Sequence, residues 1–409
     1  MLLAIHFSRL GPYHIARLRS ARAVLAPLGW RVVALEIAGS DATYEWKQES
    51  GAGEEWERVT VFPNGVFERI PVGEMKRAIA RELDRLKPNA VAIAGWGTVD
   101  ARFCLEWCKR NEAKAIVMSE TRAVDGRRLW WKEWVKSRFV RRFDAALCGG
   151  ESHRRYLVQL GMPEKRVALG YNVVDNDFFK LRTADCGSFI NGPYFLASNR
   201  FVERKNLGRL VEGYKIFQDL VFRIKGVEKT GVWPLVLLGD GELRGKLEAQ
   251  CVELGVQVFR IQDSVFSSAG REDLKLNSYK LKTPIEGGLV FFPGFRQIGE
   301  LRAFYAGAGA FVHPALEEPW GLVINEAMAS GLPVLSSRNV GAAEELVVEG
   351  KTGFLFDPRD VNSIAESLLK MFLMSEAERR KMGSEAREML ERKAPSRAFG
   401  EGLAKVLGA

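Results

Sequence analysis

Along this chain, short and nearly continuous apolar runs alternate with stretches whose apolar residues recur every three or four positions. The runs are rich in β-branched residues and too short for helices, as expected of strands buried on both faces. In the first half they predict strands at Leu2–Ser8, Arg31–Ile37, Ala90–Trp96, Ala115–Ser119, Asp144–Cys148 and Val167–Tyr171. The amphipathic stretches predict helices at Pro12–Leu28, Glu74–Leu86, Val99–Lys109, Arg127–Arg141 and Ser152–Leu160. The second half repeats the rhythm, with strands expected at Tyr194–Ser198, Leu235–Leu238, Leu289–Phe292, Ala310–Val312, Pro333–Ser336 and Gly353–Phe356. Helices are expected there at Leu207–Asp219, Leu243–Leu254, Ile298–Ala306, Leu322–Ser330, Val361–Leu373 and Ser375–Lys393. Two segments break the pattern and are expected as irregular loops: Ser40–Pro71, polar around Trp46 and Trp56, and Ile261–Glu286, rich in Ser, Lys and Asp.

Alternating strands and helices imply parallel sheets with helices on both sides. A length of 409 residues is too great for one ordinary core and suits two domains. Arg182–Gly192 gathers Thr, Asp, Gly, Ser, Asn and Pro and is the expected linker. The expected division is residues 1–185, residues 186–385, and a C-terminal helix in 386–409 packing back on the first domain. The implied fold class is α/β: two Rossmann-like, doubly wound domains facing a cleft. Ligands of such sheets bind outside the carboxyl ends of the strands, so the cleft is the default site.

Composition narrows the class. No stretch approaches the ~20 apolar residues of a membrane span, and Met1–Ser8 reads as a first strand rather than a signal peptide. A cytoplasmic location is the expectation. The five cysteines are scattered, and Cys104 and Cys108 read as small buried helix residues. The four histidines form no ligand cluster, so no metal is expected. The formal charge of +9 points to phosphates, anionic lipid or nucleic acid as partners.

The chemistry concentrates in the second half. In Ala310–Val334 a buried strand ends at His313-Pro314, a turn carries Glu317 and Glu318, and Gly321 opens a helix that stops at Gly331. A strand-turn-helix of this kind offers free amides and the positive end of a helix dipole, for which a diphosphate is the natural guest. Glu318 can reach a hydroxylated ligand from the turn, and Glu326, one helical turn inside, could accept bonds from a ribose diol. Taken alone, Glu317 and Glu318 read as ordinary acidic residues before a helix, which leaves unexplained two carboxylates separated by seven residues with a glycine at the helix start between them. A second cluster, Leu196–Asn206, carries Arg200, Arg204 and Lys205 beyond a strand's carboxyl end. Such cations could neutralise a leaving diphosphate, or form a solvated basic turn. In a third, Leu235–Glu242, Gly239 and Gly241 allow close backbone approach, a weak signal alone.

Together these residues resemble the family-4 group of retaining glycosyltransferases, which have the GT-B fold. Glu318 to Glu326 reproduces the E-x7-E signature, and Arg200 and Lys205 match the diphosphate-binding Arg and Lys. Leu235–Glu242, Phe291–Gly294 and Gly350–Pro358 match further stretches in order. The likeness is strong over about 194–360 and weak before it, mainly at Asn172–Phe179. The resemblance implies that Glu318 contacts the donor sugar and Glu326 the ribose. Arg200, Lys205 and the amides of Gly321, Leu322 and Val323 would hold the diphosphate, and a loop near Phe292–Gln297 the base. It implies transfer of a hexose with retention, from a UDP- or GDP-linked donor to a glycan, lipid-linked or other acceptor, without a bound metal. Three departures mark the chain. Glu120 stands where the family often has His. Ser8–His14 replaces the usual glycine pair, leaving Gly11, His14 and Arg9 as substitutes. Val340–Glu345 is short of one glycine and one proline. A nucleotide-sugar epimerase and a non-catalytic nucleotide-sugar-binding protein are the alternatives, and a transferase acting on DNA bases is a distant further one.

Arg127–Arg142 stands apart, with seven cations, three tryptophans and one acid. An interfacial helix on anionic lipid has this makeup. So does an ordinary helix whose Trp residues fill the core, and the two readings stand level. A face for an anionic acceptor is a further reading, and nucleic acid trails behind.

Overall fold

The computed structural model describes residues 1–42, 57–126, 128–180, 190, 192–224, 231–260 and 289–409. Contacts divide the chain into two units, Met1–Asp175 with Ala394–Ala409, and Asn176–Lys393. The sequence pattern puts the divisions at 185/186 and 385/386. The second of those would fall inside one continuous helix, Glu376–Lys393. Of the expected linker, only Ile190 and Gly192 are described.

In the first unit the elements run β1 (Leu2–Phe7), α1 (Pro12–Leu25), β2 (Arg31–Ser40), β3 (Glu57–Val66), α2 (Val72–Leu86), β4 (Ala90–Ala94), α3 (Val99–Arg110), β5 (Lys114–Ser119), α4 (Trp130–Val140), β6 (Ala145–Cys148), α5 (Glu151–Gln159) and β7 (Val167–Leu169). The strands form one parallel sheet in the order β3-β2-β1-β4-β5-β6-β7. Alternate residues feed two cores: Ala4, Val91, Val117 and Ala146 on one face, Leu3, Ile5, Ala92 and Met118 on the other. Both faces are buried, which is why the sequence shows continuous apolar runs. Cys104 and Cys108 are buried in α3, as the pattern predicts.

β3 corrects the expectation of a loop over Ser40–Pro71. It is a half-exposed edge strand, and Pro63-Asn64-Gly65 interrupts its alternation. Its place is set by its neighbour: the buried Glu36 carboxylate of β2 accepts from Arg58 (2.6 and 3.0 Å) and Thr60 (2.8 Å).

The second unit runs α6 (Asn176–Lys180), β8 (Phe195–Ser198), α7 (Leu207–Arg223), β9 (Leu235–Leu238), α8 (Arg244–Glu253), β10 (Gln257–Arg260), β11 (Leu289–Gly294), α9 (Ile298–Gly307), β12 (Ala310–His313), α10 (Leu322–Ala329), β13 (Val334–Ser337), α11 (Gly341–Leu346), β14 (Gly353–Phe356), α12 (Val361–Leu373) and α13 (Glu376–Lys393). Its parallel sheet has the order β10-β11-β9-β8-β12-β13-β14. The chain leaves β8 to one side through β9 and returns on the other through β12. The carboxyl ends of β8 and β12 therefore flank a topological switch point. The strand β10, unpredicted, is a partly exposed edge; Ile261–Glu286 lies outside the described residues.

The last helix, α14 (Ala398–Leu407), belongs to the first unit and packs on α1 and β7. A Cβ at Gly400 would meet the Ser20 carbonyl at 2.3 Å, so only glycine permits this approach. None of the described helices is long and apolar enough to cross a membrane.

Candidate functional site

β8 and β12 end beside each other, and each releases a loop of opposite charge. The β8 loop rises through Arg200, Arg204 and Lys205; the β12 loop carries Glu317 and Glu318. The structure brings Lys205 and Glu318 together, Nζ to Oε2 at 2.5 Å, with an Arg204 Nη1 at 3.1 Å from the same oxygen. Main-chain bonds fix the approach: the Leu316 amide donates to the Arg204 carbonyl at 2.9 Å. Arg200 is exposed at the end of β8.

Burial tests this pair. Lys205 is buried and the Glu318 side chain nearly so. Burial draws the Lys205 ammonium below its ordinary value, and Glu318 opposes that. Burial pushes Glu318 the other way, upward, but the Lys205 ammonium, which also donates to it, and Arg204 overcome that and hold the carboxyl below its usual range. His313, buried at the end of β12, is lowered to about 3 by burial and by Lys205 and Arg204. A neutral imidazole thus sits beside a cation-rich pair.

Gly321 caps α10 with φ +98°, in the left-handed region that favours glycine. A Cβ there would also lie 3.1 Å from Val340 and 3.5 Å from the His313 ring. Leu322 and Val323 head the helix, where amide N–H groups have no intrahelical acceptor; the Ile324 amide turns back to the Gly321 carbonyl at 2.9 Å. Behind this turn, the α11 amides of Gly341 and Ala342 donate to the carbonyls of Glu318 (3.0 Å) and Trp320 (2.9 Å). Glu318, Gly321 and the start of α10 are therefore one braced element, next to three cations.

Glu326 lies one turn into α10, fully buried, and accepts from the Tyr305 hydroxyl at 2.5 Å. Gly239, with φ +129°, spends its bareness on the protein itself: a Cβ would meet the Asn199 carbonyl at 1.9 Å. It lets the β9 turn lie against the β8 loop. Two residues that sequence pattern passes over also shape this site. Tyr305 holds Glu326. Asn206, left-handed at φ +58°, donates to the carbonyls of Pro314 (3.0 Å) and Pro358 (2.7 Å) and ties both loops down. An Asn opening a helix is the only sequence signal, and nothing in the pattern pairs Tyr305 with Glu326.

The remaining predicted residues lie at strand ends of the first unit. Gly11 is the N-cap of α1, and its amide donates to the His14 Nδ1 at 3.0 Å. His14 stacks on Phe7 at 4.2 Å and is lowered to about 3 by burial, then by Arg17 and Arg9. Its Nδ1 is committed to the helix cap. Arg9 pairs with Asp41 at 3.2 Å. Glu120 follows β5 and is exposed. The end of β1 and the head of α3 also hold a cluster the sequence did not announce. The Asp100 carboxylate meets His6 Nε2 at 3.1 Å and accepts from Ser8 Oγ at 2.6 Å. Burial opposes charge on His6, but Cys104 and Asp100 raise it to about 10. Among the described residues no His, Cys, Asp and Glu group could hold a metal ion.

Known proteins resemble the chain in sequence and in fold. Residues 269–389 match the family model of glycosyl transferases group 1. Over 104 residues, 25% of this chain, the sequence is 41% identical to the sulfoquinovosyl transferase SQD2 of Arabidopsis thaliana, of which that stretch is 20%. It is 29% identical over 178 residues, 44% of this chain, to the lipopolysaccharide core biosynthesis glycosyltransferase LpsE of Rhizobium meliloti, of which it covers 39%. The chain thus spans well under two thirds of these curated relatives. Several solved structures match over the whole chain, among them the following two. One is Anabaena HepE in complex with UDP and glucose, at TM-score 0.67 and 15% identity, covering 99% of that chain. The other is a sucrose-phosphate synthase from Thermosynechococcus elongatus, at TM-score 0.72 and 17% identity, covering 98% of it.

Proposed function

We propose, from a chain that carries a group 1 glycosyl transferase match on the GT-B fold, that this protein transfers a hexose from a UDP- or GDP-linked donor to a hydroxyl of a glycan or lipid-linked acceptor, with retention. The observation that carries this is the Lys205–Glu318 contact at the switch point, with Arg204 beside it and the Gly321-capped helix next to it. Lys205, Arg200 and the head of α10 hold the diphosphate. Glu318 lies where a sugar joined to that diphosphate can be met, and Glu326, steadied by Tyr305, takes the ribose. SQD2 is named a sulfoquinovosyl transferase and LpsE a glycosyltransferase, and HepE is seen with UDP and glucose, which supports a nucleotide-sugar donor.

In the reaction the bond from the sugar's anomeric carbon to the phosphate oxygen breaks and one to the acceptor oxygen forms. The acceptor proton passes to the leaving phosphate. Negative charge grows on that phosphate, where preorganised cations and helix amides stabilise it without reorganising. They supply the charge that a divalent ion would bring, so activity persists in EDTA.

The test is a panel of UDP-, GDP-, ADP- and dTDP-sugars, read first by thermal shift and then by product. A transferase releases the nucleoside diphosphate and a glycosylated acceptor. An epimerase returns only an isomeric donor, and a binding protein returns neither; either result would replace this proposal.

A further inference from the structure

Helix α4 is built inside out. Its only acid, Glu133, faces the protein, accepting from the Tyr156 hydroxyl at 2.7 Å and from Lys136 at 2.8 Å. The Arg128 guanidinium lies over the Tyr156 ring at 4.6 Å, and Val140 is the one buried residue of the helix. The aromatic side turns outward. Trp130, Trp131 and Trp134 are 82%, 50% and 57% exposed, and Val135 is exposed as well. Trp131, Trp134, Val135 and Arg138 follow the i, i+3, i+4, i+7 spacing of a single helix face. The reading in which these tryptophans fill the core is therefore overturned: the helix is held down by its charged side.

A protein that leaves three tryptophans in water forgoes a large apolar contribution to folding. The cost is offset only if something covers them. Charge says what. Arg138 lies over the Trp134 ring at 4.5 Å and Lys132 over the Trp131 ring at 5.3 Å. Arg141 and Arg142 follow, both exposed, while the sole acid of Arg127–Arg142 is turned away and paired. An outward face of indoles interleaved with cations, and no anion, complements an anionic lipid surface. Indoles settle at the headgroup level and Lys and Arg meet the lipid phosphates.

We infer that α4 docks this protein on an anionic bilayer, with the Trp130, Trp131 and Trp134 side chains entering the interface. The inference does not depend on the transferase proposal, and its experiment needs no nucleotide. The full chain is sedimented with vesicles of phosphatidylcholine alone and with vesicles of equal parts phosphatidylcholine and phosphatidylglycerol. Binding to the mixed vesicles only is expected, with a blue shift of tryptophan emission and quenching by brominated lipid. Trp130→Ser/Trp131→Ser/Trp134→Ser should lose the emission shift and at least tenfold in partitioning. Lys132→Gln/Arg138→Gln/Arg142→Gln should lose about a hundredfold, since each cation near the surface contributes about fivefold. None of these side chains is buried, so melting temperatures should stay at the wild-type value and show that the fold is intact. Equal binding to both vesicle types, no binding to either, or triple variants that sediment like wild type would overturn the inference. So would a dimer in solution that the tryptophan variant abolishes, because the face would then belong to a second copy of this chain.

Discussion

Replacing Lys205 by Met separates what this residue does for the fold from the hold on a diphosphate proposed for it. The wild-type contact is 2.5 Å long between two groups that are each about nine-tenths buried. Met keeps most of the stem and removes the ammonium, leaving the Glu318 carboxylate with Arg204, whose side chain is 48% exposed. Stranding one partner of a buried pair costs roughly 3–5 kcal/mol. Arg204 remains at 3.1 Å, so the lower end applies, about 3 kcal/mol. For a unit of this size that is roughly 6–12 °C in melting temperature. Losing a charge-assisted bond to the diphosphate would cost about 1.5–3 kcal/mol, roughly ten- to a hundredfold in affinity.

The double variant Lys205→Met/Glu318→Gln removes the stranded charge. It should regain most of the stability and none of the affinity. The assays are thermal melts without ligand and calorimetric titration with the free nucleoside diphosphate. Leaving out the sugar keeps the proposed Glu318 contact from entering the measurement. Affinity within twofold of wild type in Lys205→Met would refute the diphosphate assignment. An unchanged melting temperature would refute the argument from burial, and a double variant that recovers affinity would refute the separation of the two roles.

Tyr305→Phe leaves the buried Glu326 carboxylate without its hydroxyl donor; a loss of about 1–3 kcal/mol in chemical denaturation is expected, together with weaker nucleotide binding. Gly321→Ala forces a side chain into φ +98° with Val340 at 3.1 Å; it should cost on the order of 1 kcal/mol or more, and should lower donor turnover more than Ala at Gly245, where a Cβ meets nothing. His313 is lowered from 6.5 to about 3, so the unfolded chain takes up its proton first. The stability linked to it is full above about pH 6.5 and is lost as pH falls from there towards 3, by a few kcal/mol on the order of magnitude that linkage sets. His313→Phe should flatten that part of the pH profile in denaturant melts, and an unchanged slope would count against the buried neutral imidazole.

The sequence by itself determined the layered α/β plan, because strands buried on both faces and one-sided helices leave different periods in the apolar pattern. It also singled out Arg200, Lys205, Glu318, Gly321 and Glu326, because turns at strand ends concentrate charge and glycine in short local stretches. The tertiary structure decided what depends on a neighbour distant in sequence. β3 is a strand because β2 offers it an edge and Glu36 holds its Arg58 and Thr60. Lys205 and Glu318 meet because β12 returns beside β8 across the switch point. Tyr305 reaches Glu326 from another helix, with no local pattern linking the two. The same limit applied to α4. Its composition allowed a core helix or an interfacial one, and only the packing of Glu133 against Tyr156 fixed which side faces the protein and left three tryptophans outward.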